Sequence, residues 1–281
     1  MKQLLRALLV FCALFVSVQA VALEKSLQLP GFLGGAGLTA ETDAVKPRSL
    51  RFVTTLDFPP FNFLDETGKL NGFNVYLAKA LCSELNIAAA CTIQALPFAE
   101  LEVILENGQA DAAIAGLTAN ASTREKYLFS SAYLQFPARF VAMRSAKTPV
   151  DFAKGLDATR IGAISGSGHE RLVRAFFPKS VVTGYITEDL MFKDLQSGVL
   201  DLAAGDGMRL SFWLQGAASK GCCTFQGGSF YSPTHLGEGM RIAFPATRPD
   251  LTAAVNQALA SLQKKGVFAE LYLRFFPSGF Y

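Results

Sequence analysis

The sequence predicts an α/β fold of two similar lobes whose strand ends face each other across a cleft. The first observation is a motif that occurs twice, about ninety residues apart. One copy reads Gly108-Gln-Ala-Asp111-Ala-Ala-Ile-Ala-Gly116, the other Gly198-Val-Leu-Asp201-Leu-Ala-Ala-Gly205, with Asp206 next in the chain. The second is the stretch before each copy: apolar residues at helical spacing, Leu101, Ile104 and Leu105 before one, Leu190, Phe192 and Leu195 before the other. Glycine then suits a left-handed helix end. The third is the stretch after the turn: a short apolar strand running into small polar residues, Leu117-Thr118 or Asp206-Gly207. Ligands of open α/β sheets bind beyond the carboxyl ends of the strands, so two such ends in opposition form a binding cleft. The alternative is two like units side by side in one sheet.

The 281 residues suit one large domain or two of about 100–150 residues. Residues 1–22 have the make-up of a secretory leader. Lys2 and Arg6 form a basic start, Leu8 to Val18 is an uncharged apolar run, and Ala20 and Ala22 offer cleavage points. The run is shorter than the ~20 residues a membrane span needs. Removing Lys2 and Arg6 from the 26 basic residues leaves 24 against 23 acidic ones. A near-neutral mature chain argues against a nucleic-acid partner and against electrostatic membrane anchoring. Export also permits disulfides. The four cysteines left, Cys82, Cys91, Cys222 and Cys223, allow three pairings. A local Cys82–Cys91 bridge fits a helix followed by a strand, whereas adjacent Cys222 and Cys223 either bond through a strained ring or stay reduced. The two histidines, His169 and His235, lack zinc-ligand spacing to the cysteines, and no cofactor is implied.

Residues 23–47, with Pro30-Gly31 and Gly34-Gly35-Ala36-Gly37, read as a flexible arm. Leu50 to Thr55 is a β-rich run stopped by Phe58-Pro59-Pro60-Phe61. Phe63 to Leu70 fits a hairpin with its tip at Glu66–Lys69. Val75, Leu77, Ala78, Leu81 and Leu85 then mark a helix. Cys91 to Ala95 is the next strand, and Phe129 to Met143 reads as one long extended run. Arg160 to Ile164 is a strand that ends in Ser165-Gly166-Ser167-Gly168. A helix with Leu172, Val173 and Phe176 comes next and stops at Pro178, and Val181 to Ile186 is again a strand. Residues 216–232, rich in Gly, Ser and Cys, read as loop. Gly239 to Phe244 is extended, and residues 249–275 form the final helices.

Ser165-Gly-Ser-Gly-His169 places neither serine between glycines at −2 and +2, so it is not a nucleophile elbow. No Gly-Lys-Ser/Thr comes after it, so it is not a phosphate loop. It fits a strand-to-helix turn whose backbone N–H groups face an anion such as a carboxylate. Arg124, just after the first repeated strand, carries a fork that matches a carboxylate. Asp206, at the end of the second, is placed to accept from an ammonium group or to cap a helix. Phe58 and Phe98 supply flat apolar walls beside the same strand ends, although core packing is the ordinary fate of a Phe in a chain with 24 of them. Together these groups describe a pocket for a zwitterion.

The order of these motifs resembles the extracellular solute-binding proteins of family 3, the periplasmic amino-acid receptors of ABC importers. The resemblance runs from Leu50 to Tyr281. It rests on Phe58-Pro-Pro-Phe61, Asn71-Gly-Phe-Asn-Val-Tyr-Leu-Ala, Gly108-x-x-Asp111 with Ala115-Gly-Leu-Thr118, Arg124 with Phe129-Ser130, Asp201 to Asp206, and Leu262-x-x-x-Gly266-x-x-x-x-Leu271. It implies a two-lobed periplasmic-binding-protein fold of type II with two crossing hinge strands, near Val141–Met143 and Gly239–Arg241. Lobe 1 would comprise residues 48–141 and 241–281, and lobe 2 residues 142–240. By the resemblance, Arg124, Gly116, Thr118, Ser167 and Gly168 would hold an α-carboxylate, Asp206 the α-amino group, and Phe58 and Phe98 the side chain. The Cys82–Cys91 placement looks like a bridge in some relatives. Asn74 and Tyr76 stand where the family has Asp-x-Asp, and Arg124 is shifted by one position. Thr55 stands where receptors for basic side chains carry an acid, which points to a neutral or apolar amino acid.

Three functions compete: a monomeric periplasmic receptor that delivers an amino acid to an inner-membrane ABC permease, an enzyme resembling cyclohexadienyl dehydratases, and a periplasmic sensory or accessory binding protein. The dehydratase chemistry needs an acid in the cleft, for which Glu170 and Glu188 are the nearest candidates.

Overall fold

The computed structural model describes residues 46–145, 151–276 and 279. The expected leader, 1–22, and residues 23–45 of the expected arm lie outside the described residues. The chain opens with β1 (Leu50–Thr54), in which all but Arg51 are buried. A small antiparallel sheet comes next, β2 (Asp57–Phe58), β3 (Asn62–Leu64) and β4 (Leu70–Asn71). Gly72 then turns the chain into α1 (Phe73–Glu84) with φ 123°. A Cβ at Gly72 would lie 2.2 Å from the Phe61 carbonyl oxygen, so only glycine fits. Helix α1 buries Val75, Leu77, Ala78 and Leu81, residues its spacing foretold, and Phe73 besides.

The first lobe continues through β5 (Cys91–Ala95), α2 (Leu101–Glu106), β6 (Ala112–Ala113), α3 (Ala121–Arg124) and β7 (Tyr127–Phe129). The chain then leaves for the second sheet. That lobe comprises β8 (Ala138–Met143), β9 (Arg160–Ile164), α4 (Gly168–Phe176), β10 (Val181–Tyr185), α5 (Glu188–Gln196), β11 (Leu202–Asp206), α6 (Gly207–Gln215) and β12 (Cys223–Phe230). After α7 (Pro233–Leu236) the chain returns as β13 (Ala243–Pro245), and α8 (Pro249–Lys264) and α9 (Val267–Phe275) finish the first lobe against α1. The strand orders are β5-β1-β6-β13-β7 and β10-β9-β11-β8-β12. Both describe one topology: three parallel strands, then an antiparallel strand and an outer neighbour. Each sheet is covered on both faces. In the second lobe, Phe140, Ile161, Val173 and Leu202 pack on one side, and Val141, Met191, Leu195 and Ala203 on the other.

Two expectations shift. Phe129 to Met143 is not one strand. All of β8 pairs within the second sheet, with Val141 opposite Ala203 and Phe225, so position 141 lies inside that sheet. The crossing lies upstream, where Leu134 bridges Met240. There Met240 N–H donates to Leu134 O at 2.7 Å and Tyr133 N–H to Met240 O at 2.9 Å. Residues 216–232 are not all loop either. β12 spans eight of them, because the outer edge of β8 offers unpaired backbone groups that a glycine-bearing segment can satisfy. Gly227 and Gly228 fall in an irregularity between Gln226 and Phe230, where the register slips. The cysteines pair as Cys82–Cys91, with Cα atoms 6.1 Å apart, and as Cys222–Cys223.

Candidate functional site

The repeated aspartates are structural. Asp111 accepts from Arg51 N at 2.8 Å, Nε at 3.0 Å and Nη2 at 2.8 Å. Asp201 accepts from Arg160 N at 2.8 Å, Nε at 3.0 Å and Nη2 at 2.6 Å. Each clamp ties the start of one parallel strand to the turn before a neighbouring one. Gly108 (φ 66°) and Gly198 (φ 78°) supply the left-handed turn in both.

The opposite strand ends differ. In the first lobe, Phe58 is 37% exposed and its ring lies over Gly116, where a Cβ would approach Phe58 Cε1 to 3.1 Å. Phe98 is 54% exposed in a short 3₁₀ turn. Thr118 is exposed, and its carbonyl accepts from Thr123 Oγ1 at 2.7 Å. Asn120 caps α3 reciprocally with Thr123. This short capped helix sets Arg124, whose guanidinium lies 5.6 Å from the Phe129 ring centroid and forms an ion pair with Glu238. Beneath this wall runs a buried chain of neutral groups. Asn62 Nδ2 donates to Thr55 Oγ1 at 2.8 Å, Asn74 Nδ2 to Asn62 Oδ1 at 2.7 Å, and Tyr133 OH to Asn74 Oδ1 at 2.9 Å. Burial pushes the Tyr133 phenol far up, so it stays a donor.

In the second lobe, Ser167 caps α4 by accepting from Glu170 N at 3.1 Å. The turn's N–H groups are partly committed: Gly166 N–H donates to Glu170 Oε2 at 2.7 Å and Ser167 N–H to Ile164 O at 3.1 Å. A Cβ on Gly168 would lie 2.0 Å from the His235 carbonyl oxygen, so α7 packs directly on this turn. Asp206 caps α6, accepting from Arg209 N at 3.0 Å. Among the described residues no cationic side chain forms an ion pair with it. Burial pushes its carboxyl above the ordinary value, and the backbone donors of Arg209 and Met208, with the nearby Arg209 charge, offset only part of this.

Asp206 opens on a cavity of about 540 Å³ lined by Ser167, His169, Thr187, Glu188, Asp189 and Arg209, with Ile164, Ile186, Met191 and Leu210 as its apolar part. All lining residues belong to the second lobe. The cavity thus brings Ser167 and Asp206 together, but not Arg124, Phe58, Phe98, Gly116 or Thr118. Glu188 receives both Arg209 Nε and Nη2 at 2.8 Å. Burial lowers the His169 pKa, which favours the neutral ring. Glu170 is held below its ordinary range by Arg174 and the Gly166 N–H. Arg209 and Glu238 are absent from the sequence-based site. The signal for Arg209 is its place three residues after Asp206, and that for Glu238 its place between two glycines.

Residues 50–278 match the family model of bacterial extracellular solute-binding proteins, family 3. The putative ABC transporter arginine-binding protein 2 of Escherichia coli strain K12 is 27% identical over 252 residues, covering 90% of this chain and 99% of the relative. The arginine-binding periplasmic protein of Mannheimia haemolytica is 30% identical over 215 residues, covering 76% and 86%. These relatives are binding proteins by name, not enzymes. Among solved structures, an ancestral cyclohexadienyl dehydratase superposes with a TM-score of 0.66 at 21% identity, covering 82% of this chain and 93% of that one. The second substrate-binding domain of Lactococcus lactis GlnP, in an open conformation, gives 0.65 at 16% identity, covering 83% and 97%. At such identities the two structures speak for the fold alone. Given the match over residues 50–278, the chain belongs to the bacterial extracellular solute-binding proteins of family 3.

Proposed function

We propose that this protein is a periplasmic receptor, exported through a leader in residues 1–22, that closes as a monomer on an L-amino acid and delivers it to an inner-membrane ABC permease. The observation that carries the reading is Asp206, a carboxylate lifted by burial, unpaired by any cation among the described residues, and aimed at an open cavity. A half-buried carboxylate that makes no ion pair loses hydration without full compensation, and a ligand ammonium offsets that loss. In this reading Arg124, with Gly116, Thr118, Ser167 and Gly168, holds the α-carboxylate after the lobes close, and Phe58 and Phe98 cover the side chain. Closure results because a ligand that bridges both lobes binds the closed form better.

For the side chain we infer a neutral or apolar group. Thr55 is buried and engaged by Asn62, and Arg209 neutralises Glu188. A second reading, a cationic side chain, is favoured by the arginine named in similar relatives and by Asp189 at the cavity rim. Calorimetry of the mature protein against neutral and cationic L-amino acids separates them. The expected ligand binds with about micromolar Kd, roughly −8 kcal/mol, and adds about 2.7 kcal/mol of stability at 100 Kd. A melting temperature that no amino acid raises would sink the receptor reading. Conversion of prephenate or arogenate would favour the dehydratase reading, against which both candidate acids stand locked to arginines.

A further inference from the structure

Arg124 is not empty-handed. One oxygen of Glu238, Oε2, meets both Arg124 Nη2 and Arg241 Nη2, the latter at 3.2 Å. Arg124 ends the short helix α3 of the first lobe, whereas Glu238 and Arg241 stand on the second crossing segment. Arg241 donates from Nη1 to the Ser130 carbonyl at 2.7 Å, and its buried Nε has no hydrogen-bond partner. Glu238 lies between Gly237 (φ 80°) and Gly239 (φ 85°). A Cβ at Gly239 would come within 2.5 Å of the Leu134 carbonyl oxygen, so the backbone here is pressed against the first crossing while the carboxylate reaches out to the lobe. Two guanidiniums thus converge on one carboxylate, and that carboxylate belongs to the hinge.

We propose that Arg124 and Arg241 together form the carboxylate subsite and that Glu238 is a chain-borne stand-in, occupying it until the ligand's carboxylate displaces it. The proposal rests on the receptor reading above and adds two residues to it. The side chains of Arg124 and Glu238 are both 44% exposed, so exchange needs no unfolding. Exposed ion pairs contribute only about 0–1 kcal/mol. A ligand already held through its ammonium can therefore compete at high effective concentration. Swapping one carboxylate for another leaves the net charge of the cluster unchanged. Displacement also frees Glu238 from the first lobe at the segment about which the lobes turn, which links occupancy of the subsite to the hinge.

The test is calorimetry on the full mature protein with the L-amino acid that binds it best and with that amino acid's methyl ester, which lacks the carboxylate charge. Glu238→Gln should bind the free amino acid about fivefold tighter, the factor that about 1 kcal/mol represents, and leave the methyl ester unaffected. Arg241→Gln should weaken the free amino acid about tenfold. Unchanged or weaker binding by Glu238→Gln would overturn the stand-in. Unchanged binding by Arg241→Gln would overturn the two-arginine subsite. If the wild type binds no amino acid, the receptor reading fails by itself, and the ligand-free protein decides the rest. Melting of Arg124→Gln, Glu238→Gln and the double variant should then be non-additive by about 1–2 °C, and additive shifts would remove the contact on which the proposal stands.

Discussion

The two lobes use the same clamp and differ in the charged residue that comes after it. Arg51 with Asp111, and Arg160 with Asp201, repeat the same three donors, and each aspartate N–H returns to its arginine's carbonyl at 2.9 Å. At the far ends of the same strands the likeness stops, since the first lobe supplies Arg124 and the second Asp206. The carboxyls show the division of labour. Burial alone would raise Asp111, but the Arg51 fork and backbone N–H outweigh it and hold it low. Arg160 likewise holds Asp201 low. Asp206, with no such fork, is raised by burial. The carboxylates paired by an arginine fork serve the scaffold, and the one at a strand end makes no such pair among the described residues.

The sharpest way to break the comparison is to remove the charges at the cleft. Losing one partner of a buried charged contact costs about 2–5 kcal/mol, so Asp206→Ala and Arg124→Ala should each weaken amino-acid binding at least about thirtyfold while the protein still folds. Calorimetry checks both, and wild-type affinity for Arg124→Ala would leave the first lobe without its assigned role. Next come the cysteine pairs, one in each lobe. Cys82→Ser with Cys91→Ser opens a loop of nine residues' separation and should cost about 2–3 kcal/mol in denaturant unfolding. Replacing Cys222 and Cys223 opens almost no loop and should cost less than about 1 kcal/mol.

The clamps should differ by burial. The Asp111 side chain is 10% exposed and has Arg248 nearby at 3.7 Å, whereas that of Asp201 is 40% exposed. Asp111→Ala should therefore cost about 2 kcal/mol and Asp201→Ala about 1 kcal/mol in the same unfolding experiment. Equal losses would mean that burial does not separate the lobes.

The pH dependence tests the same division. A ligand ammonium needs Asp206 ionised, so affinity should fall as pH drops through its raised pKa, by up to about tenfold per unit. Asp206→Asn should abolish this slope. In the free protein the sign reverses: a carboxyl with a raised folded pKa stabilises the fold below its unfolded pKa, and that contribution is lost as pH rises through the folded pKa. Asp111 behaves oppositely, since its depressed pKa adds stability above the unfolded pKa that is lost as pH falls through the folded one. Stability and affinity measured across the acid range separate the two aspartates.

Local pattern alone determined the elements that recur in both lobes. Helix α1 announced its buried face through Leu77, Ala78 and Leu81, and the Gly-x-x-Asp turns announced their strands, because periodicity and turn chemistry are written in neighbouring residues. The placements of Arg124 and Asp206 after those strands came from the same order. Tertiary structure decided what depends on a distant partner. β12 became a strand because β8 had an open edge, although Gly227 and Gly228 give it little strand character of its own. The first crossing was set by the Leu134–Met240 bridge rather than by the apolar run that continues into β8. Glu238 reached Arg124 across 114 residues, and Thr55 found Asn62, Asn74 and Tyr133 in a chain of neutral hydrogen bonds. A side chain's charge and size are local facts, whereas the partner that neutralises it is chosen by how the chain returns upon itself.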